Sequence, residues 1–156
     1  MRSKLAALIL TAVTAGACVA ATAAPAAATT SAYGKSKWIS ATKGWQHTGV
    51  YVEPGDLVRI RATDGRWTVD HRKFPYVSAN GYHRYTDRKI YQGCKILRGL
   101  PYGTLIARVN GDHYRVGTRG VFRARQAGFL QLRVNDADGC LKDNDGTVIA
   151  KIRVSN

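Results

Sequence analysis

The chain has 156 residues and carries 24 Lys and Arg against 10 Asp and Glu, a formal net charge of +14. Sixteen Gly, a single Glu and a single Met at the initiator argue against a helical fold and for short strands joined by turns. The length allows one domain with a sizeable core, and no nucleic-acid-binding motif accompanies the basic charge.

The segment "MRSKLAALILTAVTAGACVAATAAPAAA" places Arg2 and Lys4 before an apolar run that ends in small residues. It reads as a secretory signal over residues 1–28, cleaved between Ala23 and Ala28, which predicts a secreted protein. A membrane anchor is disfavoured because the run is mostly Ala and Thr with no charged stop after it. A lipid-modified Cys18 is disfavoured because Ala15 stands where such sites usually hold Leu. No transmembrane segment is expected in the mature chain. Without Arg2 and Lys4, 22 basic residues face 10 acids, for a net charge of +12. Residues 29–37 read as a flexible lead-in, and residues 38–156 as the domain.

Within the domain, Pro54-Gly55-Asp56 predicts one turn and Asp64-Gly65 a second. Between them Val58, Ile60 and Ala62 alternate with Leu57, Arg59 and Arg61, the period of a strand with one face inward. The stretch "GTLIARVNGDHYRVG" reads as strand, Asn110-Gly111-Asp112 turn and strand. "GVFRARQAGFLQLRV" and "GTVIAKIRV" add at least two more, the last with Val148, Ala150, Ile152 and Val154 on one side. Several strands with one apolar face each predict an all-β fold, a small antiparallel β-sandwich of galactose-binding-domain-like or jelly-roll type.

Residues 70–103 show no sustained period and several aromatics, and long ordered loops of this kind tend to carry function. After signal cleavage Cys94 and Cys140 remain. Outside the cell such a pair forms a disulfide; two buried free thiols are the alternative.

Four of the ten carboxylates, Asp136, Asp138, Asp143 and Asp145, fall within "NDADGCLKDNDG", residues 135–146, between the strands "FLQLRV" and "TVIAKIRV". Carboxylates at that density repel one another unless something gathers them. Oxygen donors without His favour a hard cation, Ca²⁺ above Mg²⁺, because Ca²⁺ accepts 6–8 oxygens in irregular geometry. An EF-hand is excluded: the twelfth position from Asp136 is Thr147 and from Asp143 is Val154, neither able to act as the bidentate Glu. A merely solvated turn needs one or two such Asn, Asp or Gly residues, not eight in twelve.

The chain resembles the calcium-dependent galactophilic lectins of bacteria, the PA-I type. The resemblance runs through Pro54-Gly55-Asp56, Gly65-x-Trp67, "GTLIARV" at 103–109 and Val116-Gly117. It ends in Gly128-x-Leu130-x-Leu132-x-Val134-Asn135-Asp136, Asp143-Asn144-x-Gly146 and Val148-x-Ala150-x-Ile152, and this final block is the specific part. It implies a calcium-dependent carbohydrate-binding protein and not an enzyme. The implied cation ligands are the Asp136 carboxylate, the Cys140 main-chain oxygen, the side chains of Asp143 and Asn144, and a main-chain oxygen at or next to Asp70. The implied sugar contacts are Asp136, Ala137 and Asp143, with Gln92 and His83 from the long middle loop; Lys89 falls by counting where the family has its His. Asp143 replaces an Asn and adds a charge, and Cys140 replaces a Thr. A Cys94–Cys140 bridge would then staple the recognition loop to the metal loop. Lectins of this family can assemble into tetramers, and galactose-type sugars are the implied ligands.

The remaining residues read as follows. Trp67 is core or site wall, and Trp38 and Trp45 are edge or core aromatics. His47, His71 and His113 show no metal spacing. Arg59, Arg61, Arg66, Arg108, Arg115, Arg119, Arg123, Arg125, Arg133 and Arg153 fall largely on outward positions, where their field attracts polyanions such as acidic polysaccharides or wall polymers. The alternative function is therefore a basic structural or polyanion-binding module in which calcium only stabilises the loop. A hydrolase ranks last, because no activated nucleophile or paired acid and base is visible.

Overall fold

A computed structural model describes residues 33–156, so the predicted signal segment lies outside the described residues. Eight strands form two four-stranded antiparallel sheets. They are β1 (Tyr33–Ser40), β2 (Gln46–Val52), β3 (Leu57–Thr68), β4 (Leu105–Val109), β5 (Asp112–Arg115), β6 (Arg119–Arg123), β7 (Gly128–Val134) and β8 (Asp145–Ser155). The first sheet has the order β1-β8-β3-β6 and the second β2-β7-β4-β5. β1 takes in residues 33–37, which the sequence pattern assigns to the lead-in, and pairs them with β8.

The alternation seen in the sequence is the register of the sandwich. Val58, Ile60 and Ala62 of β3 and Val148, Ala150, Ile152 and Val154 of β8 are buried, while Arg59, Arg61, Lys151 and Arg153 are exposed. From the second sheet Val50, Val52, Leu105, Ala107, Leu130 and Leu132 meet them, so the core is the inner face of both sheets. β4 and β5 are joined by Asn110-Gly111 alone, both with positive φ (44° and 90°). That is the primed hairpin turn whose twist matches its flanking strands, and Asp112 already belongs to β5.

The predicted Asp64-Gly65 turn is instead an irregularity inside one long strand. β3 runs through it, paired with β8 from Leu57 to Thr68, and the register slips between Ala62 and Asp64. Gly65 has φ +87°, and a Cβ there would lie 2.2 Å from the Thr147 carbonyl oxygen. Only glycine permits that approach, so the Asp-Gly pair is a bulge signal as well as a turn signal. The bulge carries β3 on to Trp67, whose indole is fully buried and donates to the Gly103 carbonyl at 2.7 Å.

Residues 70–103 hold a four-residue helix α1 (Arg84–Asp87) and a 3-10 turn at Gln92–Cys94, and otherwise irregular chain. This long connection packs beside the acidic loop that joins β7 to β8.

Candidate functional site

The acidic loop leaves β7 at Val134 and returns as β8 at Asp145. Asn135 is fully buried and fastens the loop to the middle connection. Its Oδ1 accepts from the Leu97 amide at 2.9 Å, and its Nδ2 faces the carbonyls of Leu97, Leu100 and Pro101 at 3.1–3.2 Å. Asp136 follows, 2 % exposed, with Asn144 beside it, 4 % exposed. Asn144 Nδ2 donates to Asp136 Oδ2 at 2.9 Å and to the Ala41 carbonyl at 3.1 Å. Both hydrogens of that amide are thereby used, and its oxygen is turned the other way.

Two oxygens are left over. Asp136 Oδ1 and Asn144 Oδ1 are both buried and neither has a hydrogen-bond partner. An unsatisfied buried acceptor is costly, and an unsatisfied carboxylate oxygen more so. Burial pushes the Asp136 carboxyl up to about 7; the Asn144 amide offsets this in part, the Asp143 charge adds to it, and Arg133 again lowers it. Native proteins rarely leave two such oxygens unpartnered in neighbouring side chains without a ligand.

Asp136, Asp143 and Cys140 line one cleft of about 630 Å³ together with Asp70. Phe74, Ile90, Tyr91 and Tyr102 give it apolar and aromatic lining, and Arg72, Lys73, Lys89 and Lys142 supply basic groups around it. Cys94 and Cys140 are joined in a disulfide with Cα atoms 6.2 Å apart, and the Ala137 amide donates to the Cys94 carbonyl at 2.7 Å. An Asp136 carboxylate oxygen and the two sulfurs lie within 4.8 Å of one another, but sulfurs bonded to each other are not thiolate ligands. The donors left are oxygens, the set that suits a hard divalent cation.

Asp70 is buried, and both its oxygen-bearing groups are engaged. Its main-chain oxygen accepts from the amides of Phe74 (2.9 Å) and Lys73 (3.2 Å) and from Thr68 Oγ1 (3.1 Å). Burial works against ionisation of its carboxyl, but the amides of Arg72 and Lys73 and the Lys73 ammonium at 3.2 Å outweigh it and hold the carboxyl below its usual range. The middle-loop residues split. Lys89 and Tyr91 line the cleft. Gln92 is exposed, and its Nε2 donates to the carbonyls of Asp87 (2.7 Å) and Ile90 (2.6 Å). His83 is exposed and caps α1, its Nδ1 accepting from the Tyr85 amide at 3.4 Å.

Two residues the sequence did not mark turn out to shape the loop. Arg133, assigned to an outward position, is 1 % exposed. Its position on the outer face of β7 is roofed by Trp45, 5.5 Å from ring centroid to guanidinium, and by the loop itself. Nη1 binds Asp138 Oδ1 at 2.7 Å and Nη2 donates to the Asp136 carbonyl, so the guanidinium sets the path of the loop beneath the cleft. His71 meets the Asp143 carbonyl with both its main-chain amide (2.9 Å) and ring Nδ1 (2.8 Å), tying the connection after Trp67 to the acidic loop.

No family model matches this sequence, and no curated protein matches it. A solved structure described as "EclA N-terminal domain; PllA-like lectin" is similar over 78% of this chain and 96% of its own, with a TM-score of 0.57 and 22% identity. At that identity the likeness establishes architecture: the chain is an all-β protein with a lectin-like sandwich fold. The sequence resemblance to bacterial lectins holds at that level.

Proposed function

We propose that the protein is a secreted, non-enzymatic, calcium-dependent carbohydrate-binding protein whose ligand enters the cleft over the acidic loop. The observation that carries this reading is the pair of buried, unpartnered oxygens, Asp136 Oδ1 and Asn144 Oδ1. The similar lectin structure and the bacterial-lectin motif support it. The Asp136 and Asn144 side chains, the Asp143 carboxylate and the Cys140 main-chain oxygen hold the cation. Asp70 forms a wall, its carbonyl being engaged elsewhere. Calcium, when bound, offers coordination positions to adjacent hydroxyls of a sugar.

The chain's own residues do the rest. The Asp136 and Asp143 carboxylates accept hydrogen bonds from those hydroxyls, charge-assisted and therefore short and directional. Tyr91 and Ile90 give the cleft an apolar surface against which a sugar's C–H face packs. The disulfide and Asn135 hold the two loops in place before the ligand arrives, which reduces the entropy lost on binding. Secretion is supported by the signal-like segment and by the disulfide.

The test is a glycan array run in calcium and again in EDTA. Binding to neutral glycans in calcium and its loss in EDTA support the reading. Neutral-glycan binding unaltered by EDTA, or no calcium uptake by the metal-stripped protein in calorimetry, overturns it.

A further inference from the structure

The outer face of the first sheet sets like charges directly opposite one another. Arg61 on β3 pairs in register with Lys151 of β8 on one side and Arg119 of β6 on the other. Two residues along, Arg59 pairs with Arg153. All five are exposed. Opposed residues in an antiparallel pair share a face with Cβ atoms about 4.5–5.5 Å apart, and like charges so placed are destabilising. Among the described residues the carboxylate paired on this face is Asp64, 4.0 Å from Lys151. A chain already strongly basic gains no solubility from aligning its cations; spreading them would serve better.

An aromatic ring sits on the same face. Trp38 pairs with Ile149, which pairs in turn with Asp64, so the indole occupies the β1 edge beside the Lys151 row. It is 64 % exposed, whereas its chain neighbour Ile39 is fully buried on the inner face. With strands about 4.8 Å apart, Arg119, Arg61 and Lys151 make a row about 10 Å long that meets β1 at Ser36, with Trp38 two residues along on the same face.

We propose that this face is a second binding surface, for a linear acidic polysaccharide, and that it works without calcium. The cation row meets the polymer's carboxylate or sulfate groups at successive points, and the exposed indole stacks on the C–H face of a sugar ring. This combination selects a charged glycan over a neutral one, which the cations do not recognise. It also selects a glycan over duplex DNA: the cations would hold the phosphates, but the indole would have no sugar face to cover. The surface shares no residue with the cleft over the acidic loop, so the two readings stand or fall separately.

The experiment is titration of the signal-free protein in EDTA at low salt with three probes: oligogalacturonate, a neutral galactan oligosaccharide of equal length, and a DNA duplex. The oligogalacturonate is expected to bind, with affinity falling as salt rises, and the neutral probe not to bind. Arg61→Gln with Lys151→Gln should weaken oligogalacturonate roughly tenfold or more while leaving the melting temperature unchanged or higher. Trp38→Ala should weaken oligogalacturonate and leave DNA as it was. No oligogalacturonate binding in EDTA, or binding indifferent to the double substitution, overturns the proposal. So does DNA binding more tightly than oligogalacturonate with Trp38→Ala silent on both. Removal of calcium decides the cleft reading alone.

Discussion

Asn144 Nδ2 lies 2.9 Å from Asp136 Oδ2 and 3.1 Å from the Ala41 carbonyl, and this single amide fixes the orientation of the whole donor set. Both N–H groups are spent, and the Asn144 oxygen, like Asp136 Oδ1, is buried without a partner. Asn144→Leu removes the donor and the acceptor together. Loss of two buried hydrogen bonds costs about 1–3 kcal/mol even in EDTA. The additional stabilisation that calcium gives the wild type should vanish, as read by thermal melts with and without the ion.

Asp136→Asn separates charge from shape. In the metal-free protein the substitution removes a buried, poorly compensated negative charge and keeps an oxygen for Asn144 to bind. The melting temperature in EDTA should therefore hold or rise. In calcium the order reverses: wild type is stabilised in proportion to RT ln(1 + [Ca²⁺]/Kd) and the variant is not. A variant stabilised by calcium as much as wild type would place the ion elsewhere.

Much of the sandwich was legible because period-two alternation is imposed by burial. Val58-Ile60-Ala62 and Val148-Ala150-Ile152 could face the core only one way, and they do. The acidic loop was legible as a donor cluster because eight Asn, Asp and Gly residues in twelve exceed what a turn needs. Arg133 was not legible, since an arginine at an outward strand position is ordinarily solvated. Only the tertiary placement of Trp45 and the following loop buries it. The Asp64-Gly65 pair misled for a related reason: turn and bulge both require a positive φ there, and only strand pairing on either side distinguishes them. Residues 70–103 carry no period, so the positions of Lys89 and Tyr91 depend on the disulfide and on Asn135, and that of His71 on the Asp143 carbonyl, all of them long-range contacts.

Arg133→Met tests the buried guanidinium. The substitution keeps the stem packed under Trp45 but leaves the Asp136 carbonyl without its charged donor and Asp138 without its partner. Asp138 is exposed and resolvates, so most of the cost comes from the carbonyl, about 1–3 kcal/mol by chemical denaturation. Calcium affinity should fall as well, because the turn that presents Asp136 is no longer held. Unchanged calcium affinity would show that the guanidinium supports stability only.

Breaking the Cys94–Cys140 bridge frees a loop of 46 residues of sequence separation. Cys94→Ser with Cys140→Ser should lower stability by about 2–4 kcal/mol through the entropy regained by the unfolded chain. The Ala137–Cys94 main-chain hydrogen bond remains available, so calcium binding should weaken rather than disappear. Glycan binding should weaken further than calcium binding, since Lys89 and Tyr91 lie on the loop that is released. Equal losses of both would mean that the bridge orders only the metal side.

The pH dependence of the metal-free protein follows from Asp136. Its carboxyl titrates near 7 when folded and near 3.8 when unfolded, so between those values the folded chain holds the proton more tightly. The associated stability is complete below the unfolded value and is lost as pH rises through about 7, a contribution on the order of 4 kcal/mol. His113 acts in the opposite sense within the same window. Burial and the charge of Arg108 lower its pKa, so its contribution grows as pH rises. Asp70 and Asp145, both held below the ordinary carboxylate range, lose their contributions only at more acidic pH. Subtracting the Asp136→Asn curve from wild type in EDTA isolates the one carboxyl. The difference should favour wild type at pH 5 relative to pH 7.5. With saturating calcium the sign inverts, because the cation binds the ionised form and its affinity rises with pH. A wild-type-minus-variant difference that is flat from pH 5 to 7.5 in EDTA would mean that Asp136 already has a donor in solution, and the argument for a cation at its free oxygen would fail.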